Sequence, residues 1–328
     1  NGESTKTINQ MVEVSASYCS PEEPPLMAAD FTESGDYLVN SSVNELGVEE
    51  FTFSAWIKPN GIQADYSGIF SLSSGDGVEK NVLNFREGNN TLGFHWNGDH
   101  WGWDSNLIVP ADQWSFVAIT VTANEVTLYV NEQEVSKSVS AQAFDLTSIL
   151  LGTYYYWSSR NYIGLMEEAT FWKRALTREE LRLSRHLTKS ELSDPDLICY
   201  YQFNHNANGV VFDKKSSYDL SVNGNSNLVS SDAPVGPGVS ELVNINTVGE
   251  YASFAVGLDL DFPIGSPIPN GDVVLSRIDI LPSSQPSTFS AADRYWVINN
   301  YGFNQGLFNL ESLKINNLPA ISSPQDYS

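Results

Sequence analysis

Cysteine is nearly absent: the 328 residues contain only Cys19 and Cys199. The two are too far apart for a CxxC pair, so a zinc cluster is not expected. In an exported chain the pair suggests one disulfide; in a reducing compartment it would be two buried thiols. Basic residues are scarce as well, with 17 Lys and Arg against 40 Asp and Glu, a formal charge of −23. A field of that sign repels phosphate backbones and anionic bilayers, which disfavours nucleic acid and membrane surfaces as partners. No run of 18 apolar residues occurs, so no membrane-spanning helix is expected. Asn1-Gly2-Glu3-Ser4 lacks the basic start and apolar core of a secretory signal. If the protein is exported, this chain is therefore a mature fragment. Motifs of the HExxH and GxSxG type are missing too.

What remains is rich in aromatics, at 12%, which argues against disorder. Phe51–Ile57 alternates with period two and ends in the turn cluster Lys58-Pro59-Asn60-Gly61. Further strands are read at 67–72, 81–86 and 91–96, and a hairpin joins 114–122 to 125–130 around Ala123-Asn124. Strands at this spacing, broken by Gly, Asn and Asp, predict an all-β chain built as an antiparallel jelly-roll sandwich. One short helix is predicted over 178–185, with Thr177 and Glu180 forming a capping box, packed on the sandwich edge. Pro234-Val235-Gly236-Pro237-Gly238 reads as a linker. The predicted domains are an N-terminal linker or edge segment at 1–19, the jelly roll at 20–233, a second, smaller β-sandwich at 234–318, and the start of another linker at 319–328.

Four stretches together carry a family likeness. They are Ala29-Asp30-Phe31 through Val39, Phe51 through Pro59, Gln113–Ala118 with Val126–Asn131, and Ile163–Trp172 followed by Arg174-Ala175-Leu176-Thr177. In this order they resemble laminin-G-like, concanavalin-A-like lectin/glucanase jelly rolls, the superfamily that includes the pentraxins. Leu197–Asn204 looks like a further strand of that family. The segment from Val235, with Tyr295–Gly302, is similar to a β domain found behind such jelly rolls in large bacterial surface proteins, often cargo of type IX secretion. The resemblance implies that the first and last strands are neighbours, which would bring Cys19 near Cys199 as a disulfide.

Two aromatic clusters carry the candidate chemistry: Phe94–Asp104, with four aromatics and two histidines, and Tyr154–Tyr162. Flat rings match the apolar faces of sugars, and polar neighbours supply directional hydrogen bonds. By alternation Phe94 and Trp96 share one face while His95 and Asn97 take the other. The candidate ligand platform is Trp101, Trp103, Tyr155 and Trp157, oriented by Asn97, Asp99, His100 and Arg160. The resemblance also implies a structural Ca²⁺ held by Asp36 with Glu167 or Glu168; a pentraxin-like double site is not expected, because Thr153-Tyr154-Tyr155-Tyr156 replaces its acidic cluster. Family glucanases need two facing carboxylates. Glu167 and Glu168, being adjacent, should point to opposite faces of a strand, so no enzyme activity is expected.

The sequence thus predicts a non-catalytic cell-surface adhesion or carbohydrate-binding fragment of a larger exported protein, extracellular or on a bacterial surface. Its partners would be glycans or other surface proteins. The alternatives are a stalk or protein-interaction module without a sugar site, and an accessory module of a polysaccharide-degrading enzyme. The chain alone does not name the ligand.

Overall fold

The structure, a computed structural model, describes residues 12–13, 26–74, 80–86, 88–96, 102–155, 159–215, 217–281, 294–305 and 312–315. The chain divides into two compact units. One comprises Pro24–Thr177 and Glu191–Ala233; the other comprises Asn1–Glu23, Arg178–Ser190 and Pro234–Ser328.

The first unit is a sandwich of two large antiparallel sheets. Among the described residues, sheet I orders its strands as Gln133–Ser138, Glu125–Val130, Ser115–Val121, Phe51–Pro59, Gly164–Trp172, Met27–Phe31 and Asn227–Ser230, with Leu197–Tyr201 also paired to Gly164–Trp172. Sheet II runs Asn206–Ala207, Val210–Val211, Leu220–Asn223, Tyr37–Asn40, Ser148–Leu151, Gly68–Ser73, Lys80–Phe85, Thr91–His95 and Trp103–Ile108. Both follow from the period-two pattern. Phe53, Ala55 and Ile57 face the shared core, as do Leu83 and Phe85 from the opposite sheet. Phe53 of sheet I stacks on Phe70 of sheet II with ring centroids 4.0 Å apart. Phe51 packs edge-on to Phe94 and Phe144. This is the jelly-roll sandwich expected from the sequence.

The second unit is also β. Val12–Glu13, Tyr295–Asn300, Gly271–Ile278 and Gly238–Ile245 form one sheet, and Gly249–Ser253, Leu258–Phe262 and Ser312–Ile315 form another. Leu258, Leu260, Phe262, Leu275, Trp296 and Ile298 fill the core between them. The helix Arg178–Ser184 belongs here rather than on the jelly-roll edge. It buries Leu181 and packs against Gly238–Ile245 and Gly271–Ile278. Arg182 pairs with Asp272 at 3.0 Å and covers the ring of Tyr301. An amphipathic helix this short takes its place from whichever apolar surface it can cover, which local pattern does not specify.

Cys199 is a free thiol among the described residues, and the expected bridge falls on a partner outside them. Strand alternation turns Cys199 inward with Tyr201, into the close-packed core, and burial pushes its thiol well above the ordinary range. Cys19 lies outside the described residues.

Phe53→Ala removes one half of the stacked pair that joins the sheets. It should cost the jelly-roll unit about 3–5 kcal/mol, read as a lowered urea midpoint in a transition monitored by near-UV circular dichroism.

Candidate functional site

The outer face of sheet II carries the best-built polar cluster. After strand Ser148–Leu151 the chain turns at Gly152, where φ is +84° and a Cβ would lie 2.5 Å from the ring of Phe31. It then folds back across the outer face of the sheet. Ser71 Oγ donates to Thr153 O at 2.8 Å and accepts from Tyr155 N at 2.7 Å. Arg160 O accepts from Gly68 N and Tyr154 N, which ties Arg160 to the first residue of strand Gly68–Ser73. Gly68 leaves the room this requires: a Cβ there would sit 2.3 Å from the Thr153 backbone.

A second loop is tied to the first. Gln63 Nε2 donates to Ile163 O at 2.8 Å, and Ile163 N donates to Gln63 Oε1 at 2.9 Å. Asn90 Oδ1 accepts from Gln63 N at 2.7 Å. These bonds deliver Tyr66 beside Arg160. Tyr66 and Tyr155 both adopt left-handed backbone conformations, with φ of +64° and +52°. That is uncommon for bulky residues and is held by the surrounding bonds.

The side chains meet in one cluster. The guanidinium groups of Arg86 and Arg160 lie 4.8 and 4.9 Å from the Tyr66 ring centroid. Arg160 also covers Tyr154, at 4.9 Å, and His95 meets the edge of Tyr154 at 6.0 Å. The Arg86 stem crosses Gly93, where a Cβ would collide with it. Burial raises the Tyr154 phenol above its ordinary range, and Arg160 offsets part of that. The phenol therefore stays a neutral donor at physiological pH. Because guanidinium groups cover the rings, the cluster offers planar, fork-shaped donors rather than bare stacking faces.

Of the residues expected to bind a ligand, Arg160 and Tyr155 lie here. Trp101, Trp157, Asn97, Asp99 and His100 lie outside the described residues. Trp103 is a correction: it pairs with Phe94 and packs against the core. Lys137 Nζ sits 5.9 Å from its ring centroid, so it is not part of this face. The expected alternation does hold, since Phe94 and Trp96 are core residues while His95 joins the outer cluster. Tyr66, Arg86, His95 and Tyr154 complete the cluster but were not among the expected ligand residues. Tyr66 and Arg86 carry no local signal; only register and the loop bonds bring them in.

The acidic residues need two corrections. Glu167 and Glu168 do not point to opposite faces, because a β-bulge lies between Glu167 and Thr170, with Glu168 at φ +54°. Met166 and Ala169 both face the core, so the two glutamates between them share the outer face of sheet I. Ser231 Oγ donates to Glu167, and Tyr200 Oη donates to Glu168. Burial, with Glu168 and Asp232 nearby, raises the Glu167 carboxyl to about 9.

Asp36 is not with them. Its Oδ2 accepts from Glu33 N at 3.0 Å and Thr32 Oγ1 at 3.4 Å, and its Oδ1 accepts from Asn225 N at 2.7 Å. It is a buried turn clamp. A hard dication needs six or more oxygens converging on one point, whereas Asp36 lies apart from the glutamates and its oxygens are taken by Glu33 N, Thr32 Oγ1 and Asn225 N. Among the described residues no three His, Cys, Asp or Glu side chains are grouped to hold a metal. The residues Asp36, Glu167 and Glu168 therefore do not fit the implied Ca²⁺.

Comparison with known proteins agrees with this fold. Residues 32–182 match the family model described as the concanavalin A-like lectin/glucanases superfamily. No curated protein matches the chain. A protein from Bacteroides ovatus, whose name assigns carbohydrate binding provisionally, superposes with a TM-score of 0.54 at 20% identity. The match covers 66% of this chain and 63% of that one. A pentraxin from Limulus polyphemus is similar at a TM-score of 0.46 and 13% identity, over 64% of this chain and 98% of its own. The carbohydrate-binding module CBM40 of a Ruminococcus gnavus sialidase gives 0.39 and 14%, over 48% and 96%. At 20% identity the likeness to the Bacteroides protein is one of fold.

Glu167 generates a prediction about pH. Its folded pKa is raised, so its favourable contribution is complete below about 4.5, the ordinary value, and is lost as pH climbs towards about 9. Glu167→Gln mimics the neutral acid. The variant should melt with the parent near pH 4.5 and several degrees above it at pH 8, measured by differential scanning calorimetry across that range.

Proposed function

We propose that the jelly-roll unit is a non-catalytic carbohydrate-binding module. Its ligand face is the outer side of sheet II, centred on Tyr66, Arg86, Tyr154 and Arg160. One observation carries the reading: two guanidinium groups converge on a single tyrosine ring in a chain of net charge −23. Planar donors held by ring stacking hydrogen-bond vicinal hydroxyls and carboxylates at fixed angles, and they lose little entropy on binding. The name of the Bacteroides protein points the same way. Catalysis is left out of the proposal because the two glutamates that share a face are buried and bonded to Ser231 and Tyr200. An inverting or retaining pair must flank a cleft that admits substrate.

The wider role we infer is adhesion at an extracellular or bacterial cell surface, as part of a longer protein exported by a route such as type IX secretion. The β unit beyond Pro234 would act as spacer or partner domain. Single-site affinity would be weak, and repeated copies would supply avidity.

Arg160→Gln keeps a polar, uncharged end on a shorter side chain and removes the guanidinium fork. On a panel of microbial and plant polysaccharides the parent should bind at least one glycan. Arg160→Gln should bind it at least tenfold more weakly, with a melting temperature close to the parent's. If the parent binds nothing, or the variant binds equally, the stalk reading takes over.

A further inference from the structure

A second concavity lies at the far edge of sheet II, among residues 202–214. Strand Leu197–Tyr201 ends and the chain enters the hairpin Asn206–Ala207/Val210–Val211. Asn208 and Gly209 take φ of +53° and +75°, as a tight two-residue turn with both central residues left-handed demands. Between the incoming segment and the returning strand is a cavity of about 400 Å³. That lies within the usual range for small-ligand sites.

The lining has a distinct chemistry. Phe203, 1% exposed, lies at its base in a left-handed conformation with φ of +61°. Phe212 stands at the mouth with 42% of its surface open. Gln202 and Asn206 contribute amides, and Lys214 and His205 contribute the nitrogen bases. Asn204, also in the lining, accepts from Met27 N through Oδ1 at 3.0 Å, which leaves its amide nitrogen available to a ligand. Among the described residues no aspartate or glutamate lines the cavity. Asp213, between Phe212 and Lys214, is turned away: its oxygens accept from the backbone N–H groups of Tyr200, Lys215, Ser217 and Tyr218. Lys214 makes no ion pair among the described residues, and its backbone is fixed by donation to Tyr200 O at 2.9 Å.

We propose that this cavity binds a sugar residue bearing a carboxylate, of the hexuronic acid class. The Phe212 ring would stack on the apolar face of the pyranose. The amides of Gln202 and Asn206 would bond its hydroxyls, and Lys214 would pair with the carboxylate. The ammonium group gives the anion its advantage, since the rest of the chain is acidic and repels it. This site is separate from the Arg86 and Arg160 cluster and does not rest on that reading.

The test is titration of the full chain with glucuronate and with glucose, by saturation-transfer NMR and calorimetry. Glucuronate should bind in the millimolar range and at least fivefold more tightly than glucose. Lys214→Gln should abolish that preference, and Phe212→Ala should weaken glucuronate at least fivefold. The proposal is overturned if glucuronate does not bind, if the two sugars bind equally, or if Lys214→Gln leaves the preference intact. Circular dichroism melts of each variant separate lost binding from lost fold.

Discussion

The antiparallel pairing of Phe51–Pro59 with Gly164–Trp172 is the contact on which the rest of the jelly roll depends. It joins segments more than a hundred residues apart, matching Gly164 to Pro59 and Trp172 to Thr52. Through it, inward residues of both strands meet sheet II. Phe171 and Phe51 lie side by side in the core, and Phe53 reaches across to Phe70. The same pairing holds the bulge at Glu167 and Glu168, so a local irregularity of one strand decides what the outer face of sheet I carries. The described residues just before it are anchored by this framework: Thr153 and Tyr155 bond Ser71 on the outer face of sheet II, and Tyr162 N donates to Gly152 O.

Charge is handled in a consistent way. Forty acidic residues cannot all be solvated at a distance from one another, and several are spent on the backbone. Asp36 and Asp213 each satisfy turn N–H groups, work that carboxylates do well because the charged acceptor strengthens each bond. Glu167 is handled differently: it is kept neutral by burial. The few cations are placed economically. Arg86, Arg160 and Lys137 lie over aromatic rings, where a weakly hydrated or snorkelling side chain is held without a deep desolvation penalty.

How far the site could be read from the chain varies by residue. Arg160 was legible because it follows a run of tyrosines in a polar turn. Tyr66 and Arg86 were not, since one sits in the turn before Gly68–Ser73 and the other just past Lys80–Phe85, and each acquires meaning only from its neighbours in space. Trp103 misled for a related reason. A tryptophan in an aromatic-rich loop looks available, yet its register opposite Phe94 turns it to the core. The glutamate pair misled because strict alternation was assumed across a bulge, and a bulge of one residue puts two successive side chains on one face. The cavity at 202–214 had no signature at all, being assembled by a hairpin edge and two phenylalanines whose spacing is unremarkable.

The all-β class, the strand positions of the jelly roll and the inward phase of most strands follow from the residues alone. Alternation and turn chemistry are local, and burial of one face leaves few registers open. The partner of each strand, the bulge, the unit to which the short helix belongs and the meeting of Tyr66, Arg86 and Arg160 come from three-dimensional packing. Each depends on contacts between segments far apart in the chain, whose geometry is set by shape complementarity across the core rather than by any neighbouring residue.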